Sequence, residues 1–204
     1  MSILTSKKLM FLSATLLFTC IGFCVSAQKK GEYVITKKGD TIMCTIKDAF
    51  LSSLKYTPVN STQTEKISTA TIKEYYAQTD QNPYVMKKLP DRSKLKFVER
   101  LEFGRITLYQ LFEQGYTGGM YGGHSVSKVV LYAEKQGNDS LFLIKTSDMF
   151  NFVNNRKQRK ESFNNMIADD DELVQQFTSS SSYGFDKIRA AVKAYNKKHP
   201  LLDK

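Results

Sequence analysis

The segment LKFVERLEFGRITLYQLFEQ, Leu95 to Gln114, decides how the rest of the chain is read. Phe97, Glu99, Leu101 and Phe103 share one side of an extended chain; Ile106, Leu108, Gln110 and Phe112 then do the same. A period of two belongs to a strand, because successive strand side chains point to opposite faces. A core-facing helix would instead repeat every three or four residues. Gly104-Arg105 interrupts the pattern once, as a turn or bulge does. Two strands thus stand at the middle of the chain, and the flanks are read outward from them.

Upstream, EYVITKKGDTIMCTIK reads as two short strands around Lys38-Gly39-Asp40, where glycine supplies the positive φ of a tight turn. Ile42, Cys44 and Ile46 alternate with Met43 and Thr45 in the second strand. SLKYTP, TEKIST and TIKEYYAQ follow as short strands rich in Thr, Ile and Tyr. NPYVMKKLPDRSK carries two prolines and reads as a strand broken by a loop. Downstream, KVVLYAEK and SLFLIKT flank the turn residues Gly137-Asn138-Asp139. After Thr146 the period changes. NNRKQRKESFNNMIADDDELVQQFTSS is polar and nearly free of β-branched residues, and Phe185, Ile188, Ala191, Val192 and Tyr195 form a helical stripe that Pro200 ends. Asp169 to Glu172 suit the first turn of a helix, where the dipole favours acids. The reading is α+β. An antiparallel β-rich body of about seven to ten strands, a sandwich or half-open barrel, spans 28–146. Two or three helices over 147–204 pack on it.

The first 27 residues read differently. Lys7 and Lys8 precede an apolar run from Leu9 to about Val25, and Val25-Ser26-Ala27 offers small residues at a signal peptidase site. The expectation is a cleaved signal peptide over 1–27 and an exported chain starting at Gln28. The run is short for a membrane span, so the chain is not expected to be an integral membrane protein after cleavage. Neither Cys20 nor Cys24 follows the small residue that a lipid-modified cysteine needs. Cleavage removes two lysines and no acid, lowering the formal net charge from +10 to +8, and leaves Cys44 alone. An intrachain disulfide is then impossible, and the fold must rest on an ordinary core.

Several short motifs carry a resemblance. GDTI (Gly39–Ile42), the G-x-I-x-L-Y strand (Gly104, Ile106, Leu108, Tyr109), and the closing helix through AVKAYN (Ala191–Asn196) resemble a family of uncharacterised secreted proteins of Bacteroidota. Gly31, Gly39, Asp40, Thr41, Ile42 and Ile46 match its opening strand pair, whereas Cys44 stands where that pattern often has Gly. The cysteines common near the helices of the family are missing here. The resemblance implies an envelope location and a fold, and it brings no catalytic residues.

The chemistry-bearing motifs mostly read as structure. GYTGGMYGGHSVSK (Gly115–Lys128) matches neither a P-loop nor a dinucleotide fingerprint, and a β-type run follows it where a phosphate-binding helix would be needed. It reads as a long hairpin tip, with Tyr116, Tyr121 and His124 as candidate ligand contacts through ring stacking. GHSVS (Gly123–Ser127) lacks the second glycine of a nucleophile elbow, and the only histidines are His124 and His199. No His-Glu-x-x-His, Cys-x-x-Cys or calcium-loop spacing occurs, so no metal and no cofactor is expected. RKQRK, with Arg156, Lys157, Arg159 and Lys160, is the sharpest charge feature. Its charges are expected to spread round a helix and to be partly balanced by the acids at 169–172. Its functional reading is contact with an anionic envelope surface. Export argues against nucleic acid as partner. The expected function is a non-enzymatic binding or structural module at the periplasm or outer membrane. A small envelope hydrolase, or an accessory subunit of a membrane complex, are the alternatives.

Overall fold

The computed structural model describes residues 31–47, 54–117, 124–138, 140–147, 154–179 and 183–202. Ten strands form one antiparallel sheet: β1 (Tyr33–Thr36), β2 (Thr41–Lys47), β3 (Lys55–Pro58), β4 (Glu65–Lys66), β5 (Ile72–Tyr76), β6 (Tyr84–Lys88), β7 (Leu95–Glu102), β8 (Ile106–Thr117), β9 (His124–Lys135) and β10 (Phe142–Thr146). Their order is β10-β9-β8-β7-β6-β5-β1-β2-β3-β4, so the sheet is open, with β10 and β4 at its edges. The chain makes two meanders, β1 to β4 and β5 to β10, which join where β1 pairs with β5. Three helices follow: α1 (Asn154–Met166), α2 (Asp171–Thr178) and α3 (Phe185–Lys198). The α+β reading therefore holds, and the choice between sandwich and barrel resolves to a single open sheet.

Local chemistry explains the turns. Gly39 at φ +99° and Gly137 at φ +86° take the left-handed conformation that lets β1–β2 and β9–β10 reverse tightly. Thr36 Oγ1 accepts from the Asp40 amide and braces the first turn. Asp139 of the second turn lies outside the described residues.

The middle strands are buried on both faces. Ile106, Leu108, Leu131, Ala133 and Ile144 meet the helices, which contribute Phe163, Ile167, Phe177, Ile188, Val192 and Tyr195 among others. On the opposite face Tyr109, Leu111, Val130 and Tyr132 pack with Val85, Leu89 and Val98. Burial on both sides is why Val129–Ala133 of β9 is apolar at every position. The stripe foreseen on α3 is buried at Ile188, Ala191, Val192 and Tyr195, with Phe185 packed at its edge. A third core gathers Val34, Cys44, Tyr56, Ile67, Ile72 and Tyr75 at the β1–β5 end. Burial pushes the Cys44 thiol up to about 11, so it behaves as a small apolar core residue.

Two polar devices fix the helices on the sheet. The Asn196 side chain accepts from the Ile106 amide at 2.8 Å and donates to the Ile106 carbonyl at 2.8 Å. Gly104 makes room for it: a Cβ there would lie 2.4 Å from Asn196 Cγ. Asp169 is the second device. It accepts from Lys135 Nζ at 2.8 Å and from the Tyr195 hydroxyl at 2.8 Å, linking β9, the end of α1 and α3.

Two expectations change. Pairing of β8 with β9 runs unbroken from Ile106↔Lys135 to Thr117↔His124, so the hairpin tip is shorter than Gly115–Lys128. Ladder bonds use backbone groups, which glycine also carries, so Gly115 does not end the ribbon. Beyond Gln110 and Val129, whose carbonyl accepts from the Ser147 amide, the ladder pairs recorded for these strands are with each other. The acidic run is also committed elsewhere. Asp170 caps α2 through the Leu173 amide, and Lys135, Lys198 and His199 pair with Asp169, Asp170 and Glu172.

Candidate functional site: a cationic cluster between α1 and β10

Helix α1 carries RKQRK in its first turns, and the helical period sorts those charges. Arg156, Arg159 and Lys160 fall on the same stripe as Phe163, Met166 and Ile167, spaced by three or four residues. The C-terminal half of the stripe is buried in the main core. Its N-terminal half presents cations instead. The expectation of charges spread round the circumference is thus corrected: three of the four share the sheet-facing side. Lys157 lies off that side and makes a weak pair with Glu161 at 3.9 Å.

Strand β10 supplies a further cation beneath the helix. Lys145 Nζ donates to the Tyr183 carbonyl at 2.6 Å and lies over the rings of Tyr183 and Phe185, 5.3 and 5.1 Å from their centroids. Tyr183 joins strand and helix: its hydroxyl donates to the Ile144 carbonyl at 2.9 Å and faces the Arg159 carbonyl at 3.3 Å. Burial, then the Arg156 and Arg159 guanidiniums, hold the Lys145 ammonium below the ordinary lysine range. Burial pushes the Tyr183 phenol well above its usual range, partly offset by the two arginines.

Among the described residues, no carboxylate pairs with Lys145, Arg156 or Arg159. The helix adds to the imbalance. No acid stands in the first turn of α1 and no base in its last, the reverse of what the macrodipole favours. Positive charge is therefore concentrated there without a carboxylate among the described residues to balance it. An anion placed there would relieve both the mutual repulsion and the unfavourable dipole term.

Several other ionisable groups are engaged structurally. Arg100 grips Glu74 through two bonds at 3.1 and 3.2 Å, and the Tyr33 hydroxyl donates to the same carboxylate at 2.8 Å. Lys87 and the Tyr109 hydroxyl meet at Glu134, and Tyr132 donates to Asp91 at 2.9 Å. Burial and then the Glu74 bond push Tyr33 up to about 12. These groups satisfy one another in the sheet.

Of the foreseen contacts, Tyr116 and His124 are backbone members of the ribbon, opposite Ser125 and Thr117. Their side chains, and all of Tyr121, lie outside the described residues. The structure does not bring Arg156, Lys157, Arg159 and Lys160 together as one group. It sets Arg156 and Arg159 near Lys145, which sequence reasoning missed. Lys145 is one alternating lysine in a short strand, and nothing local marks it. Among the described residues no cluster of His, Cys, Asp and Glu could hold a metal ion, and no helix is long and apolar enough to cross a membrane. No protein-family model, curated protein or solved structure matches the chain.

Proposed function

We propose that the protein is a non-enzymatic binding module of the cell envelope, exported to the periplasm or the outer-membrane periphery, which engages anionic groups at the α1–β10 cluster. The observation that carries this reading is the gathering of Lys145, Arg156 and Arg159 without a carboxylate partner among the described residues. Structural ion pairs would have supplied their own counter-charges, as Glu74 and Asp169 do elsewhere. The basic balance of the chain adds long-range attraction to anionic surfaces. Export, read from the leader and from the resemblance to secreted Bacteroidota proteins, directs that attraction to lipid headgroups and acidic glycans.

The test is sedimentation with vesicles of phosphatidylcholine and phosphatidylglycerol across a salt series. Each basic residue near an anionic surface contributes about 1 kcal/mol, so neutralising three weakens binding by roughly 100-fold at low salt. The variant is Lys145→Gln with Arg156→Gln and Arg159→Gln. The control is Lys37→Gln with Lys38→Gln and Lys66→Gln, three exposed lysines remote in sequence from the cluster. Equal loss in both, or no binding at low salt, refutes the proposal.

A further inference from the structure

A groove of about 500 Å³ borders the cluster, and its lining is of two kinds. Pro90 and the run Leu141, Phe142 and Leu143 supply apolar surface. Helix α1 supplies Gln158, Arg159 and Ser162. Leu141 and Leu143 are only partly buried and pack against the second core, so the apolar wall continues the interior outward. Arg159 belongs both to this groove and to the cation cluster. Its size is that of a pocket for a small organic ligand, roughly 300–1,000 Å³.

We propose that this groove and the cluster together form one site for a single-headed anionic amphiphile, with the phosphate or carboxylate head at Arg156, Arg159 and Lys145 and the alkyl chain along Leu141–Leu143 and Pro90. This inference rests on the anion-binding reading above and names its ligand class. A bare inorganic anion would meet the cations but leave the apolar wall to water. A neutral apolar molecule would cover the wall but leave the cations unbalanced. A head joined to a chain satisfies both, and the charges set its direction. Asp91 lines the groove on the β6–β7 side, where its carboxylate accepts from the Tyr132 hydroxyl. A second anionic group is disfavoured there. The head therefore lies toward α1.

Calorimetric titration of the purified protein tests this, with dodecyl phosphate below its micellar concentration, ethyl phosphate and neutral dodecyl maltoside as probes. Dodecyl phosphate is expected to bind at least about tenfold more tightly than either control, since both the chain and the head contribute. Gln158→Trp places a bulky ring in the groove from an exposed helix position. It should abolish the advantage of dodecyl phosphate over ethyl phosphate. Equal binding of dodecyl and ethyl phosphate overturns the groove assignment while the cluster reading stands. Equal binding of the maltoside overturns the coupling of head to chain. Absence of vesicle binding and of both phosphates overturns the two readings together. Binding of acidic peptides without dodecyl phosphate overturns the amphiphile in favour of a peptide. A nitroxide at the chain end gives a second readout in the unsubstituted protein, independent of how well Gln158→Trp folds. Broadening of the Leu141 and Leu143 methyl signals supports the site, and broadening confined elsewhere refutes it.

Discussion

Asn196→Ala is the sharpest test of how the helices are held. The side-chain amide makes both its bonds to Ile106, at 2.8 Å each, and Ile106 is fully buried. Truncation leaves one amide and one carbonyl without a protein partner. Each unsatisfied buried group costs about 1–3 kcal/mol, so the loss is roughly 2–6 kcal/mol. Asn196 is itself half-buried, and water entering the vacated space moves the result toward the lower end. Against a total stability of about 5–15 kcal/mol this is a large fraction, and a fall in Tm of roughly 4 °C or more follows for a chain of this size. The assay is urea unfolding followed by far-UV circular dichroism, with Gly104→Ala as partner variant. The alanine methyl would press on the Asn196 amide, so Gly104→Ala should destabilise strongly when Asn196 is present and less when it is Ala. A loss below about 1 kcal/mol for Asn196→Ala, or strict additivity of the pair, refutes the clasp.

Other outcomes follow from the ion pairs and phenols. Asp169 is held at about 2 by the Lys135 and Tyr195 bonds, which outweigh the opposing effect of burial. A depressed carboxylate stabilises the fold above its unfolded value of 3.8, and that contribution fades as pH falls toward 2. Acid unfolding curves of Asp169→Asn should therefore lose slope in that window, whereas an unchanged slope contradicts the anchor. Tyr33, Tyr56 and Tyr84 are each pushed up to about 12 from 10, chiefly by burial. A raised folded value gives stability that is complete below pH 10 and lost as pH rises through 12, so phenolate absorbance at 295 nm should appear together with unfolding. Glu74→Ala leaves Arg100 and Tyr33 without their carboxylate inside the sheet and should cost about 3–5 kcal/mol in urea unfolding, with a cost under 1 kcal/mol counting against the pair.

The motifs that stood out in the sequence meet in space for a structural reason. Gly104 precedes β8, Ile106 begins it, and Asn196 follows the last stripe residue of α3, ninety positions after Ile106. The glycine is there for clearance, the asparagine for two backbone bonds, and Tyr195 for the bond its hydroxyl donates to the Asp169 carboxylate. Their short spacing patterns were legible, but their mutual contact was not.

Periodicity is a local property of the chain, and the sequence carried it openly. The alternation in Leu95–Gln114, the glycine turns and the stripe of α3 determined an antiparallel α+β protein. Strand order was not local. That β1 pairs with β5, leaving β4 and β10 at the edges, depends on which faces must be buried together. The candidate site is non-local in the same way. RKQRK could be seen as basic, but only packing of α1 on β10 turned Arg156 and Arg159 toward Lys145 and spent the neighbouring acids on Lys135, Lys198 and His199. Charge is written in the sequence. Whether it is balanced depends on distance, which tertiary structure alone sets, because Coulomb interactions are decided over a few ångströms and not by separation along the chain.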